Sequence, residues 1–365
     1  MCESAFVEFT RSTKCSFKLA TEHKHAEVQR VLDEYAVVVN FFIDRFWARS
    51  PRKAELLAPI VNLPVTWLDY TLRQTAAREA IDMISAAKKR WGPRAVKPVH
   101  KAKSMRVSTG TACVAVSATS TICDMWLTIK VGAADRSRRT VLQIPLRSHK
   151  HMRRLQRRGG KLCGSFVIAA NSVQLAYRFA DVELKQGNKA LGVDTGINVL
   201  ASLSTGEQYG REVKAMIARI RQCKQGSNGQ RRARRAIKQF FDTIAKRIAS
   251  KDVDIIVAED LTGISHGTRA RLGKNMRATI GNWNQRYWLS RLEMAAEANR
   301  VRFVSVEPAY TSQTCHQCGY VSRSNRHGES FRCVECNHTA NADINAARNI
   351  LARFEGGAKA PHAKR

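Results

Sequence analysis

The chain has 365 residues, 44% of them hydrophobic, and carries 62 Lys and Arg against 30 Asp and Glu, for a formal charge of +32. That length and apolar content exclude wholesale disorder and allow two or three domains with substantial cores. A compact body this basic repels itself until a polyanion neutralises it, so nucleic acid is the expected partner.

The alternating stretch from Thr13 to Leu19 predicts a strand. Val28, Val31, Leu32, Tyr35, Val39, Phe42 and Phe46 then fall on one helical stripe, which predicts an amphipathic helix over 26–48. Pro51 and Pro64 punctuate the following stretch, and a second helix is expected from Trp67 to Arg90. Short strands follow at 112–118, 125–131, 140–146 and 172–179, suggesting a small barrel or sandwich. Two stretches without acids border these strands, with eight Lys/Arg over 88–106 and seven over 147–161. Exposed basic loops of this kind suit phosphate contacts.

From Lys189 the pattern becomes mixed α/β. KALGVD and INVLASLS read as adjacent strands, with EQYG as a further short one. A basic helical region over 211–249, with twelve Lys/Arg against two acids, is broken by GSNG at 226–229 into a hairpin. VDIIVAED reads as a buried strand, 282–299 as a helix, VRFVSVE as another strand and 343–353 as a closing helix, before a Gly/Ala/Lys tail. Strands with interspersed helices fit an RNase H-like α/β core, though the pattern also permits other α/β folds.

Asp194 ends the apolar run LGVD, and a carboxylate at a strand's C-terminal tip faces the crevice where α/β sheets carry chemistry. Glu259 ends IIVAE. Asp260 is next to it, but strand alternation sends neighbours to opposite faces, and Glu259 is the choice for the site. Asp343 opens the last helix, where an acid also complements the helix dipole. Read singly, each acid has an ordinary structural explanation. Converging, three carboxylates can hold two divalent cations, Mg²⁺ with Mn²⁺ as a substitute, for phosphodiester hydrolysis.

No apolar run approaches the roughly 20 residues that span a bilayer, and Met1 to Cys15 holds no signal-peptide core. A reducing cytoplasmic compartment and no membrane partner are expected, so the ten cysteines read as thiols or metal ligands. Cys315-x₂-Cys318 and Cys333-x₂-Cys336, separated by fourteen residues, form two knuckles that can grip one tetrahedral Zn²⁺. His316 and His338 are competing ligands that a complete Cys₄ set makes unnecessary. Four ligands close the site, so this zinc is structural. Arg323, Arg326, His327 and Arg332 in the intervening loop are read as nucleic-acid contacts.

With these motifs in hand, the sequence resembles the TnpB family, transposon-encoded relatives of compact type V CRISPR effectors. GVDTGINVLASLSTGE resembles the first RuvC motif, VDIIVAEDLTG the second, and the segment from YTSQTCHQCG to NADINAARNIL the zinc ribbon with the third. The resemblance implies catalytic, Mg²⁺-binding roles for Asp194, Glu259 and Asp343. It also implies a guide RNA, double-stranded target DNA and a nucleoid-associated location in a bacterium. It implies a layout as well. A WED-like β-barrel over 1–21 and 106–186 is interrupted by a helical REC-like domain at 22–105. A RuvC-like core at 187–310 is followed by a zinc ribbon at 311–339, a last RuvC-like segment at 340–356 and a tail at 357–365. The 65-residue interval from Asp194 to Glu259 is short for the family, and the helical segment is small. Two other readings stay open: a guided DNA-binding repressor that does not cut, and a transposase acting alone. The number of protein subunits on the RNA is left open too.

Overall fold

The computed structural model describes residues 6–49, 51–108, 110–116, 122–132, 140–260, 279 and 283–356. The tail assigned to 357–365 lies outside them. The chain divides into two compact units, residues 8–180 and residues 1–7 with 181–365.

In the first unit, strand β1 (Phe6–Ser16) precedes helix α1 (Glu22–Phe46), a single turn α2 (Ala58–Val61) and helix α3 (Tyr70–Trp91). Thr21 caps α1 by accepting the amide of Lys24, and the expected stripe from Val28 to Phe46 is buried. Asp69 caps α3 by accepting the amides of Thr71 and Leu72 at 2.6 and 3.4 Å. Ala76, Ala77 and Ala80 are buried on α3, and such small side chains let helices approach closely. The Tyr35 hydroxyl donates to Glu79 across the helix pair at 2.9 Å.

The remaining strands of this unit are β2 (Ser104–Ser108), β3 (Ala112–Val116), β4 (Met125–Gly132), β5 (Thr140–Leu146), β6 (Lys161–Ala169) and β7 (Ser172–Glu183). They form two sheets, ordered β1-β7-β6-β2 and β3-β4-β5. The basic stretch at 147–161 is not the loop the sequence suggested. Lys150–Arg157 forms helix α4, capped by His149, which buries Met152 and Leu155 and exposes its cations.

The second unit is built on a five-stranded sheet. Its strands are β8 (Ala190–Asp194), β9 (Ala201–Leu203), β10 (Gln208–Tyr209), β11 (Ile255–Glu259) and β12 (Arg302–Val306), in the order β10-β9-β8-β11-β12. β8, β11 and β12 run parallel, and β9 and β10 pair antiparallel. Helices α5 (Val213–Gln222) and α6 (Asn228–Ala249) form the expected hairpin, with Ser227 of GSNG capping α6. Helix α7 (Gln285–Ala298) packs beside α6. Leu191, Val193 and Ile256 bury one sheet face against Phe241, Ile248, Trp288 and Leu292. Ile255 and Val257 bury the opposite face against Ile350 of helix α8 (Ala342–Glu355). Coverage on both faces explains why these strands read as unbroken apolar runs. Three short strands, β13 (Arg326–His327), β14 (Ser330–Arg332) and β15 (Thr339–Asn341), form a small antiparallel sheet just before α8.

Candidate active site and zinc centre

Strand alternation decides which acids meet. On β8, Leu191 and Val193 face the α5–α7 layer, so Ala190, Gly192 and Asp194 face α8. On β11, Ile255, Val257 and therefore Glu259 share that face, whereas Asp260 turns away from it. Ala258 pairs with Val193 in parallel register, so one further step brings Glu259 level with Asp194. Asp343 enters from the first turn of α8, whose cap, Asn341, accepts the amides of Asp343 and Ile344 at 3.1 and 3.2 Å. The three acids picked from sequence thus gather on one face of the sheet.

Helix α8 reaches them because Gly192 has no side chain. A Cβ there would lie 2.2 Å from the Ala347 carbonyl oxygen. This requirement went unread in the sequence, although an isolated glycine within an apolar strand is itself a sign of close backbone approach.

Two of these acids, Asp194 and Glu259, resist ionisation. Burial, followed by the charges of Glu259 and Asp343, pushes the Asp194 carboxyl up to about 8, while Arg326 and the Thr195 amide act in the opposite sense. Burial also raises Glu259 above the usual carboxylate range, opposed by the Thr311 hydroxyl and the cations of Arg353 and Arg326. Asp343 is 7% exposed, and its Oδ1 accepts from Arg326 Nη2 at 2.8 Å. Arg326, read from the sequence as a nucleic-acid contact, thus also turns one guanidinium nitrogen onto an acid of the cluster. Crowded carboxylates in a poorly solvated site are relieved by hard cations, which matches an all-oxygen Mg²⁺ or Mn²⁺ donor set. The oxygens are spaced more widely than the thiols of the cysteine quartet. Among the described residues, those thiols are the group whose donor atoms all lie within 4.8 Å of one another.

Cys315, Cys318, Cys333 and Cys336 form that group. Sγ of Cys315 and Cys336 are 3.7 Å apart, and those of Cys318 and Cys333 are 3.6 Å apart. Thiolates at about 2.3 Å from a tetrahedral zinc stand about 3.8 Å apart, so the quartet fits the ion. Cys315 and Cys333 are fully buried with Phe331 and Ala342, the latter at the start of α8. His316 and His338 stand outside the quartet. His316 Nδ1 lies 3.0 Å from Asn345 Oδ1 and its Nε2 lies 3.1 Å from Arg348, while His338 packs edge-on against it.

Among the described residues no helix is long and apolar enough to cross a membrane. Residues 287–350, from α7 through the cysteine quartet and Asp343, match the model of the Cas12f1-like TNB domain. The chain is 33% identical over 193 residues to the putative RNA-guided DNA endonuclease InsQ of Escherichia coli (strain K12), covering 44% of this chain and 48% of that protein. A TnpB-like protein of Aquifex aeolicus (strain VF5) is 31% identical over 35% of this chain and 44% of its own length. A CRISPR-associated endodeoxyribonuclease Cas12f1 of Sulfoacidibacillus thermotolerans is 29% identical over 45% of each. The chain is a relative of the TnpB-like and Cas12f1 proteins. It spans about half the length of these TnpB-like and Cas12f1 relatives in each alignment. A Cas12f1 chain, solved by cryo-EM in a complex with sgRNA and target DNA, superposes with a TM-score of 0.57 at 12% identity. That match covers 91% of this chain and 83% of the Cas12f1 chain, so the fold is that of compact Cas12 effectors.

Proposed function

We propose that this chain is a metal-dependent, RNA-guided DNA endonuclease that hydrolyses phosphodiester bonds of double-stranded DNA and is associated with a transposable element. One observation carries the reading. Asp194 and Glu259, at the ends of adjacent parallel strands, and Asp343, at a helix start, share one sheet face, where burial and the charges of the other two acids raise Asp194 and burial raises Glu259. The order β10-β9-β8-β11-β12 supports an RNase H-like RuvC core around them. The names of the InsQ and Cas12f1 relatives support a guide RNA and a DNA target.

In this reading Asp194, Glu259 and Asp343 are the catalytic residues and hold two Mg²⁺ ions, for which Mn²⁺ substitutes. When bound, the ions supply Lewis-acid polarisation of the phosphate and acidification of the attacking water. The carboxylates hold their places because two of them are anchored in the sheet and the third in a capped first turn. Cys315, Cys318, Cys333 and Cys336 hold a structural Zn²⁺ that keeps the loop carrying Arg326 folded against Asp343. The helix pair α1/α3 is assigned to a REC-like domain, the strands around it to a WED-like barrel, and the sheet unit to a RuvC-like core with an inserted ribbon. Base pairing to the guide selects the target while the basic surface grips backbone.

The test is plasmid cleavage by the purified protein–RNA complex. Cutting that needs Mg²⁺ and RNA and disappears in Asp194→Ala supports the reading. RNA-independent cutting removes its guided part. Tight, RNA-dependent DNA binding without cutting favours a repressor instead.

A further inference from the structure

We propose that Thr311 is a positioning residue that orients the Glu259 carboxylate for cation binding, and that the last helix holds Thr311 in place. This rests on the assignment of Glu259 to a metal site. Thr311 lies between β12 and the first cysteine knuckle, at the start of the segment that carries the cysteines, where the sequence gives it no role of its own. It is 3% exposed, and its hydroxyl donates to Glu259 Oε1. The same hydroxyl lies 3.2 Å from the Pro308 carbonyl oxygen. A hydroxyl has one proton to give, and the charge-assisted bond to the closer carboxylate takes it. A carboxylate offers about four acceptor positions. Thr311 occupies one, which fixes the plane of the group and leaves the others to a cation.

The support behind Thr311 is built from side chains of α8. Asn349 Nδ2 donates to the Thr311 carbonyl at 2.8 Å and to the Thr314 carbonyl at 2.7 Å. Asn345, one turn earlier, donates to the same Thr314 carbonyl at 2.8 Å. Arg353, one turn later, reaches the carbonyls of Glu307 and Ala309. Positions 345, 349 and 353 recur at i, i+4 and i+8, so one helix face clamps the backbone of 307–314 along its length. Asp343 stands at the start of that helix. The geometry therefore ties two acids together: the helix that delivers Asp343 also fixes the hydroxyl that orients Glu259.

Three variants of the full chain, Thr311→Val, Thr311→Ala and Thr311→Ser, are compared by Mn²⁺ titration followed by electron paramagnetic resonance, with melting temperature and zinc content as controls. Loss of a group that orients a metal ligand typically weakens binding about 10–100-fold. Thr311→Val and Thr311→Ala are expected to weaken Mn²⁺ binding by about that factor, with zinc content unchanged. Thr311→Ser is expected to restore wild-type binding. In cleavage assays the two hydroxyl-free variants are expected to need more Mg²⁺ and to recover at high concentration, whereas Glu259→Gln does not recover.

Wild-type affinity in Thr311→Val overturns the proposal while leaving the metal site intact. Mn²⁺ binding that survives Glu259→Gln unchanged overturns the site assignment itself. If both hydroxyl-free variants fail to fold while Thr311→Ser folds and binds normally, the hydroxyl is a folding element and the positioning role is overturned.

Discussion

Arg326, on the first strand of the three-stranded sheet beside the cysteine quartet, holds Oδ1 of Asp343 at 2.8 Å, linking that sheet to the acid at the head of the last helix. A guanidinium and a divalent cation cannot share that oxygen freely. Arg326→Ala is therefore expected to tighten Mn²⁺ binding, by about tenfold on the scale of one screened charge at short range. Titration of the zinc-loaded variant against wild type measures this, and equal or weaker binding rules out the competition.

The site also imposes a pH dependence. Asp194 is pushed up to about 8, so the folded chain keeps a proton that the unfolded chain releases near pH 4. Its contribution is fully present below the ordinary carboxylate range and is lost as pH rises through about 8. Without added Mg²⁺, stability should fall across that window by up to roughly 1.4 kcal/mol per pH unit for one proton. Asp194→Asn removes the titration. Its melting temperature should match wild type near pH 4 and exceed it at pH 8, while cleavage is abolished. Parallel melting curves for the two proteins, or Asn below wild type at pH 8, count against this electrostatic account.

Much of this arrangement could be read from the chain alone, for physical reasons. β8 and β11 are covered on both faces, so LGVD and IIVAE appear as apolar runs whose terminal acids stand out. The choice of Glu259 over Asp260 follows from strand alternation once Ile255 and Val257 are known to face α8. Partners were not legible. The charge of Arg326 was visible, but not the fact that it turns inward, since pairing across 17 residues of a loop between two cysteine knuckles leaves no periodic trace. α4 was missed because KHMRRLQR offers two buried residues, too few to show a helical period. β6 was missed because its register shifts between Leu162 and Phe166, interrupting the alternation. INVLASLS shrank to a strand over Ala201–Leu203, because Val199 and Leu200 are buried outside the ladder.

Gly192 sets the distance between β8 and the helix carrying Asp343. A methyl group there would meet the Ala347 carbonyl at 2.2 Å and Leu351 Cβ at 3.0 Å. The first contact is backbone and cannot rotate away, so Gly192→Ala must displace the helix. Overpacking of this kind costs typically 1–3 kcal/mol, and the upper end is expected here. Gly229, near the start of α6, meets its nearest atoms at 3.7 Å, so Gly229→Ala should be neutral to mildly stabilising. Thermal melting distinguishes the pair. Cleavage should fall with Gly192→Ala and stay at wild-type level with Gly229→Ala; equal behaviour of the two would remove the close approach from the account.

Zinc removal tests the link between the ribbon and the acids. Structural zinc sites in small domains contribute an apparent free energy of about 10–16 kcal/mol at neutral pH, far more than the three short strands β13–β15 could supply. Metal analysis should find one zinc per chain. Cys333→Ala should lose it, since Cys333 is fully buried and lies 3.6 Å from Cys318 in the quartet. The expected consequence is local. Residues 311–341 should become protease-sensitive while the five-stranded sheet, with its own core of Leu191, Phe241 and Trp288, keeps its protection. Arg326 then leaves Asp343, and the Mn²⁺ affinity of Cys333→Ala should change in the same direction as that of Arg326→Ala, unless loss of Thr311's support outweighs it. The double variant Cys333→Ala/Thr311→Val separates these two effects. If it binds Mn²⁺ as Cys333→Ala does, the ribbon's collapse has already released Thr311. If it binds more weakly, the last helix alone holds Thr311, through Asn349, without help from the zinc.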